Sequence, residues 1–212
     1  MVSLTWFGDG ATSSSDFHTG ANFAGVHKIP VILVCRNNGW AISVPRELQT
    51  ASETIAQKCV AYGIHGERVD GNDLLAVHAA TRRARERAAA GRGPTLLECV
   101  TYRVEGHSTS DDPRAYRGAD EVEPWRARDP IARLGRYLRW RKALAQGDTD
   151  LFRTEAREKV RRAVEEAEAF APKPPLETLF EGVYAEPLWQ QREQLEEIRA
   201  AIAADPRAAS AR

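Results

Sequence analysis

Cysteine and methionine are scarce in this 212-residue chain, at three and one, and no net charge remains when its 30 acidic residues are set against its 30 basic ones. Three cysteines are an odd number, which argues against a disulfide framework or a metal role for them. Cys35 and Cys99 lie in apolar runs and read as reduced core thiols. They point to a reducing compartment: the cytoplasm, or the mitochondrial matrix in a eukaryotic source. The missing basic excess argues against nucleic acid or an anionic membrane as the main partner. Long apolar runs are absent too. None approaches the roughly 20 residues that cross a bilayer, and no cationic-then-apolar leader opens the chain. The length suits one domain, or one domain with an appendage.

What is present is alternation. Val2–Phe7 (VSLTWF) is nearly all apolar and reads as a strand buried on both faces; Ile29–Cys35 (IPVILVC) reads the same way. A domain rarely begins on a central strand, so an N-terminal portion of the same sheet is expected to be missing. Asp16–His27 reads as a helix, a shorter helix is expected around Ser52–Ala61, and a strand near Gly66–Val69. Asp73–Ala90 is a helix with Asn72 as N-cap and Gly91 past its end. Pro94–Tyr102 is the next strand. The pattern predicts an α/β fold: a parallel sheet with helices on both faces.

Residues 103–118 (RVEGHSTSDDPRAYRG) are polar, without apolar period, and read as a loop. Helices follow. Ile131, Leu134 and Leu138 mark one, and Phe152, Ala156, Val160, Ala163, Val164 and Ala167 another. Ala171–Pro175 (APKPP) breaks the second. The last, Pro187–Ala204, carries Leu188, Leu195, Ile198 and Ile202 on one side, for packing on this chain or on a partner subunit. Two domains are expected: 1–118, an α/β domain, and 119–212, a helical C-terminal extension.

Chemistry concentrates at two strand ends. Gly8-Asp9-Gly10 follows the first strand and Arg36-Asn37-Asn38-Gly39 the second, with 26 residues between Gly10 and Asn37. Ligands of open α/β sheets bind beyond the carboxyl ends of the strands, so Asp9 and Asn38 emerge where they can share a site. A carboxylate and an amide oxygen are hard ligands suited to Mg²⁺ or Ca²⁺, and glycine lets backbone N–H groups approach an anion. Either motif alone is an ordinary turn. Together they match the thiamine-diphosphate signature.

The tracts GDGATSSSDFHTGANFAG, CRNNGWAISVP, RVDGND, TYRVEGHSTSDDPRAYR and DEV resemble, in order and spacing, the α subunits of branched-chain 2-oxo acid dehydrogenases, from about residue 3 to residue 140 and weakly beyond. The resemblance implies a thiamine-diphosphate-binding fold and the C-terminal part of an E1 α subunit, acting in oxidative decarboxylation with acyl transfer to lipoyl-E2. It implies Mg²⁺ bound by Asp9, Asn38 and the carbonyl of Trp40. Gly10, Ala11, Arg36, Arg103 and His107 would bind the cofactor, His107 being the catalytic candidate at the entry for substrate. Ser108 matches a serine phosphorylated in animal members. A β subunit (in an α2β2 heterotetramer) and the lipoyl domain of E2 are the implied partners. The chain departs from the pattern at Ser14-Ser15 and at Glu105-Gly106-His107. Two alternatives stay open: a pyruvate or acetoin dehydrogenase α subunit, and a non-catalytic assembly fragment.

Overall fold

Two apolar runs anchor the sheet, and their neighbours decide how deeply each is buried. The computed structural model describes residues 1–170 and 175–204. Its strands are β1 (Ser3–Gly8), β2 (Val31–Asn37), a hairpin of β3 (Trp40–Ala41) and β4 (Val44–Pro45), then β5 (His65–Asp70) and β6 (Thr95–Val100). Four of them form one sheet in the order β1-β2-β6-β5, parallel at every pairing. Helices α1 (Ser15–Val26), α2 (Arg46–Gln49), α3 (Lys58–Ala61) and α4 (Leu74–Ala89) connect these strands. The expected α/β architecture is therefore present.

Both faces of the sheet are covered. On one, Cys35 and Leu96 pack with Ala21 of α1 and with Ile55, Cys59 and Ile64. On the other, Ile32, Val34, Leu97 and Cys99 pack against Ala80 and Ala84 of α4. Alanine at those helix positions lets α4 lie close on the sheet, since i and i+4 share a helical face. All three cysteines are free and buried. Burial pushes Cys59 up to about 12 and raises Cys35 and Cys99 as well, so none supplies a thiolate near neutral pH.

Three expectations are corrected. β1 is an edge strand here, paired on one side only, with Leu4 43% and Trp6 57% exposed rather than buried on both faces. The helix expected over Ser52–Ala61 shortens to α3, because the Ala56 amide donates sideways to Glu98 Oε2 (2.9 Å). Asn72 does not cap α4. Asp73 does, its Oδ1 accepting from the amides of Leu75 (3.0 Å) and Ala76 (3.1 Å). Asn72 instead donates to the Arg128 carbonyl (3.1 Å) and accepts from the Thr101 hydroxyl (2.6 Å).

The chain divides into two compact units, Met1–Ala145 and Gln146–Arg212. The first ends with α5 (Ala119–Arg126) and α6 (Pro130–Trp140). Asp129 caps α6, accepting from the Ala132 amide (2.7 Å), and Pro130 opens it. Arg133 of α6 is paired to Asp70 (2.7 Å) and Asp73 (2.8 Å), which holds this helix against the end of β5. The second unit contains α7 (Asp148–Phe170) and α8 (Trp189–Ala204). Glu158 and Arg161 pair at 2.7 Å on α7, and Glu158 and Arg162 at 3.2 Å. Leu195, Ile198 and Ile202 form a half-buried stripe on α8, whereas Leu188, expected on the same side, precedes the helix and is exposed. The break expected at Ala171–Pro175 falls, except for Pro175, outside the described residues. No helix among the described residues is long and apolar enough to cross a membrane.

Candidate functional site

Parallel pairing of Gly8 with Arg36 brings the two sequence motifs to one edge. Asp9 follows β1 directly and opens a 3-10 turn, Asp9–Ser13. Its carboxylate is 1% exposed, yet no lysine, arginine or histidine among the described residues pairs with it. Its donors are neutral: the Asn38 amide reaches Oδ1 at 3.3 Å and Gln49 Nε2 reaches Oδ2 at 2.8 Å. A buried carboxylate without a cation is costly. Such a group favours a further positive partner.

Asn38 lies one residue beyond β2, and its Oδ1 accepts from the Trp40 amide at 3.1 Å. That turn starts the β3–β4 hairpin, in which Trp40 faces Pro45 and the Arg46 amide donates to the Gly39 carbonyl (2.9 Å). Hydrogen-bonded pairs alternate along an antiparallel ladder, so Trp40 and Pro45 form a non-bonded pair. The Trp40 amide points to Asn38 Oδ1, and a non-bonded pair leaves the Trp40 carbonyl without a partner on β4. Gly10 packs so tightly that a Cβ there would lie 2.7 Å from Ala41 Cβ, which explains why glycine stands beside Asp9. Ala11 is exposed, and its carbonyl accepts from the Ser14 amide (3.2 Å) and hydroxyl (3.0 Å). Ser14 also caps α1 by accepting from the Phe17 amide (3.3 Å), so the departure at Ser14-Ser15 is compatible with a capped helix.

Asp9, Asn38 and the hairpin at Trp40 therefore meet at one ledge with a tight backbone turn. Among the described residues no three histidines, cysteines, aspartates or glutamates gather. A cation at this ledge would draw on one carboxylate, neutral oxygens and ligand oxygens, a donor set that suits a hard ion retaining water or phosphate. Arg36 is exposed, and strand alternation turns it to the face opposite Cys35 and Asn37.

The loop of residues 103–118 is tied down by its own charged groups. Arg103 donates to the carbonyl of Ile42 in the hairpin turn (2.5 Å) and to the Tyr116 hydroxyl (2.7 Å). Tyr116 packs on Trp40 at 5.2 Å between ring centroids. Arg117 is buried, and its guanidinium donates to the carbonyls of Arg103, Val104 (2.6 Å) and Glu105 (3.0 Å) beneath the Tyr102 ring. Asp111 accepts from the His107 amide (2.7 Å) and the Tyr116 hydroxyl (2.7 Å); the amide first and the hydroxyl second hold its carboxyl below the usual range. His107 and Ser108 are exposed, with the Ser108 hydroxyl 3.1 Å from that of Ser110.

Of the residues singled out in the sequence, the ledge unites Asp9, Gly10, Ala11, Asn38 and Trp40. Arg103 joins the loop to it, while Arg36, His107 and Ser108 stand outside that network. Several participants carry no local signal. Gln49 reaches Asp9 across 40 residues. Glu121 accepts from Trp40 Nε1 (3.0 Å) and from the Tyr102 hydroxyl (2.6 Å). The buried Glu98 accepts from Asn37 Nδ2 (2.7 Å), which gives the first asparagine of the Asn-Asn pair a structural task.

Known proteins share this arrangement of sequence. The chain is 46% identical to the 2-oxoisovalerate dehydrogenase subunit alpha 1 of Arabidopsis thaliana, over 85% of this chain and 38% of that protein. It is 44% identical to the 3-methyl-2-oxobutanoate dehydrogenase subunit alpha of Mycobacterium tuberculosis, over 95% of this chain and 55% of that one. It is 45% identical to the pyruvate dehydrogenase E1 component subunit alpha of Staphylococcus epidermidis, over 79% of this chain and 45% of that one. The chain thus spans about half the length of these relatives. The model of the dehydrogenase E1 component family matches residues 1–177, and the chain belongs to that family.

Proposed function

We propose that this chain is the C-terminal part of the α subunit of a thiamine-diphosphate-dependent 2-oxo acid dehydrogenase E1 component of the branched-chain type, and that its ledge holds the Mg²⁺–diphosphate end of the cofactor. The observation that carries the proposal is Asp9, 1% exposed and without a cationic partner among the described residues, beside Asn38 and the backbone of Trp40. These three would hold the metal, and the backbone at Gly10 and Ala11 would face the diphosphate. When bound, the cofactor supplies the carbanion chemistry of decarboxylation.

The chain's own residues position and screen. Asp9 offsets the metal's charge in a site where burial strengthens electrostatics. Arg103 fixes the loop on the hairpin turn, presenting His107 toward the entry for substrate and the lipoyl arm of E2. Arg36 adds positive potential near the ledge. A phosphate on Ser108 would stand near Asp111 and Asp112, and like-charge repulsion would oppose the ordered loop. The assembly would be completed by a β subunit, as an α2β2 heterotetramer. The buried free thiols support a reducing compartment, cytoplasmic or, in a eukaryote, the mitochondrial matrix.

Several similar proteins bear branched-chain names and cover more of this chain than the pyruvate dehydrogenase does, which favours 2-oxoisovalerate as substrate. Turnover by the full α chain assembled with its β subunit tests this. A higher kcat/KM for 2-oxoisovalerate than for pyruvate is expected, and the reverse order would overturn the branched-chain assignment. Asp9→Ala and Asn38→Ala are each expected to abolish Mg²⁺-dependent cofactor binding in that assembly.

A further inference from the structure

Gln49 ends the four-residue helix α2 and bridges two parts of the ledge. Its Nε2 donates to Asp9 Oδ2 (2.8 Å) and to the Val44 carbonyl (3.0 Å) in the hairpin. Both neighbours are acceptors only, so the amide orientation is chemically forced: nitrogen must face them, and oxygen must face away. That oxygen, Oε1, is buried and has no hydrogen-bond partner. It lies 3.7 Å from where a Cβ on Gly10 would sit, next to the turn that would face the diphosphate. A buried acceptor left unmade is a standing cost, and in native structures such groups commonly mark an absent water or ion.

We infer that Gln49 is a positioning residue for the metal site: its amide nitrogen fixes the rotation of the Asp9 carboxylate and ties it to the hairpin that carries Trp40, and its amide oxygen accepts a hydrogen bond from an ordered water at the site. The inference rests on the metal reading proposed above. Among the described residues no other hydrogen bond restrains Asp9 Oδ2, so the carboxylate keeps only the longer 3.3 Å contact at Oδ1 once Gln49 is removed. Partners of metal ligands act on affinity in this way, by holding the ligand's orientation.

The test uses the full α chain assembled with its β subunit, and Mn²⁺ as a spectroscopic stand-in for Mg²⁺. Mn²⁺ affinity in the presence of thiamine diphosphate is read by electron paramagnetic resonance, and the thermal midpoint is read separately without metal. Gln49→Met keeps the length and loses the amide, whereas Gln49→Asn keeps the amide and loses the reach. Both are expected to weaken Mn²⁺ binding roughly 10–100-fold, with the metal-free midpoint lowered only by the modest amount that losing one donor to a buried carboxylate implies. Asp9→Asn runs alongside. If Asp9→Asn leaves Mn²⁺ binding intact, the metal reading itself fails. If Asp9→Asn abolishes binding while both Gln49 variants bind like wild type, the metal reading stands and the inference about Gln49 is overturned. A large drop in the metal-free midpoint of both Gln49 variants would likewise overturn it, by making Gln49 a residue of the fold.

Discussion

Replacing Gly10 by alanine should push the ledge apart, and a second substitution should close it again. The new Cβ would lie 2.7 Å from Ala41 Cβ. That is roughly 1 Å inside the ~3.5–4.0 Å at which two carbons attract. The backbone of the 3-10 turn and the hairpin must separate to relieve it, and overpacking of this kind costs about 1–3 kcal/mol. Ala41→Gly alone removes a strand Cβ and costs about 0.5–1 kcal/mol. In Gly10→Ala/Ala41→Gly the clash has no second partner. The double variant should therefore be close to Ala41→Gly alone, an interaction of about 1–3 kcal/mol between adjacent sites. The displaced elements carry Asp9 and Trp40, so Mg²⁺ affinity should fall in Gly10→Ala and recover in the double variant. Denaturant midpoints of the assembled protein at equal m-values, together with Mg²⁺ titration, measure both effects. Strictly additive losses in the double variant would refute the steric argument.

Asn37→Ala removes the donor to the buried Glu98 carboxyl and should destabilise the assembly by about 1–3 kcal/mol in denaturant melts, without the selective loss of metal affinity expected at Asn38. Arg117→Met deletes the guanidinium that gathers three loop carbonyls. Charge-assisted bonds of about 1.5–3 kcal/mol predict trypsin cleavage at Arg103 and Arg114 at least roughly tenfold faster when cleavage follows loop opening. Asp111 is held below the ordinary aspartate range, so the stability it lends the loop is fully present above about pH 4 and is lost as pH falls through the lowered value. Amide exchange at His107 should accordingly be protected evenly from about pH 5 to 8 once corrected for intrinsic rates, and should rise only in acid. Asp111→Asn should remove that acid step.

The parts legible in the sequence were those set by composition over short windows. β2 and β6 are apolar runs long enough to be central strands, and α4 shows its small-residue face at helical spacing. Asp9 and Asn38 were legible as a pair because each follows such a run, and parallel pairing then fixes their common edge. What escaped depends on partners distant in sequence. Asn72 and Asp73 have similar capping chemistry, and only the contacts of Asn72 with Thr101 and Arg128 decide between them. VSLTWF has the composition of a strand with two covered faces, but its exposure depends on what lies beside it. The hairpin was invisible because its strands are two residues each and its turn places Ile42 at a φ of 55°, which propensity does not favour. Gln49 and Glu121 are ordinary polar residues until the fold brings them to Asp9 and Trp40.

If Asp9 holds the metal of a diphosphate site, cofactor binding must depend on its charge. Calorimetric titration of thiamine diphosphate into the assembled full-length protein, with and without Mg²⁺, tests it most directly when wild type is compared with the near-isosteric Asp9→Asn. Binding should depend on Mg²⁺ in wild type and be lost in Asp9→Asn, while the metal-free assembly keeps its stability. Mg²⁺-dependent binding of equal affinity in both proteins would contradict it.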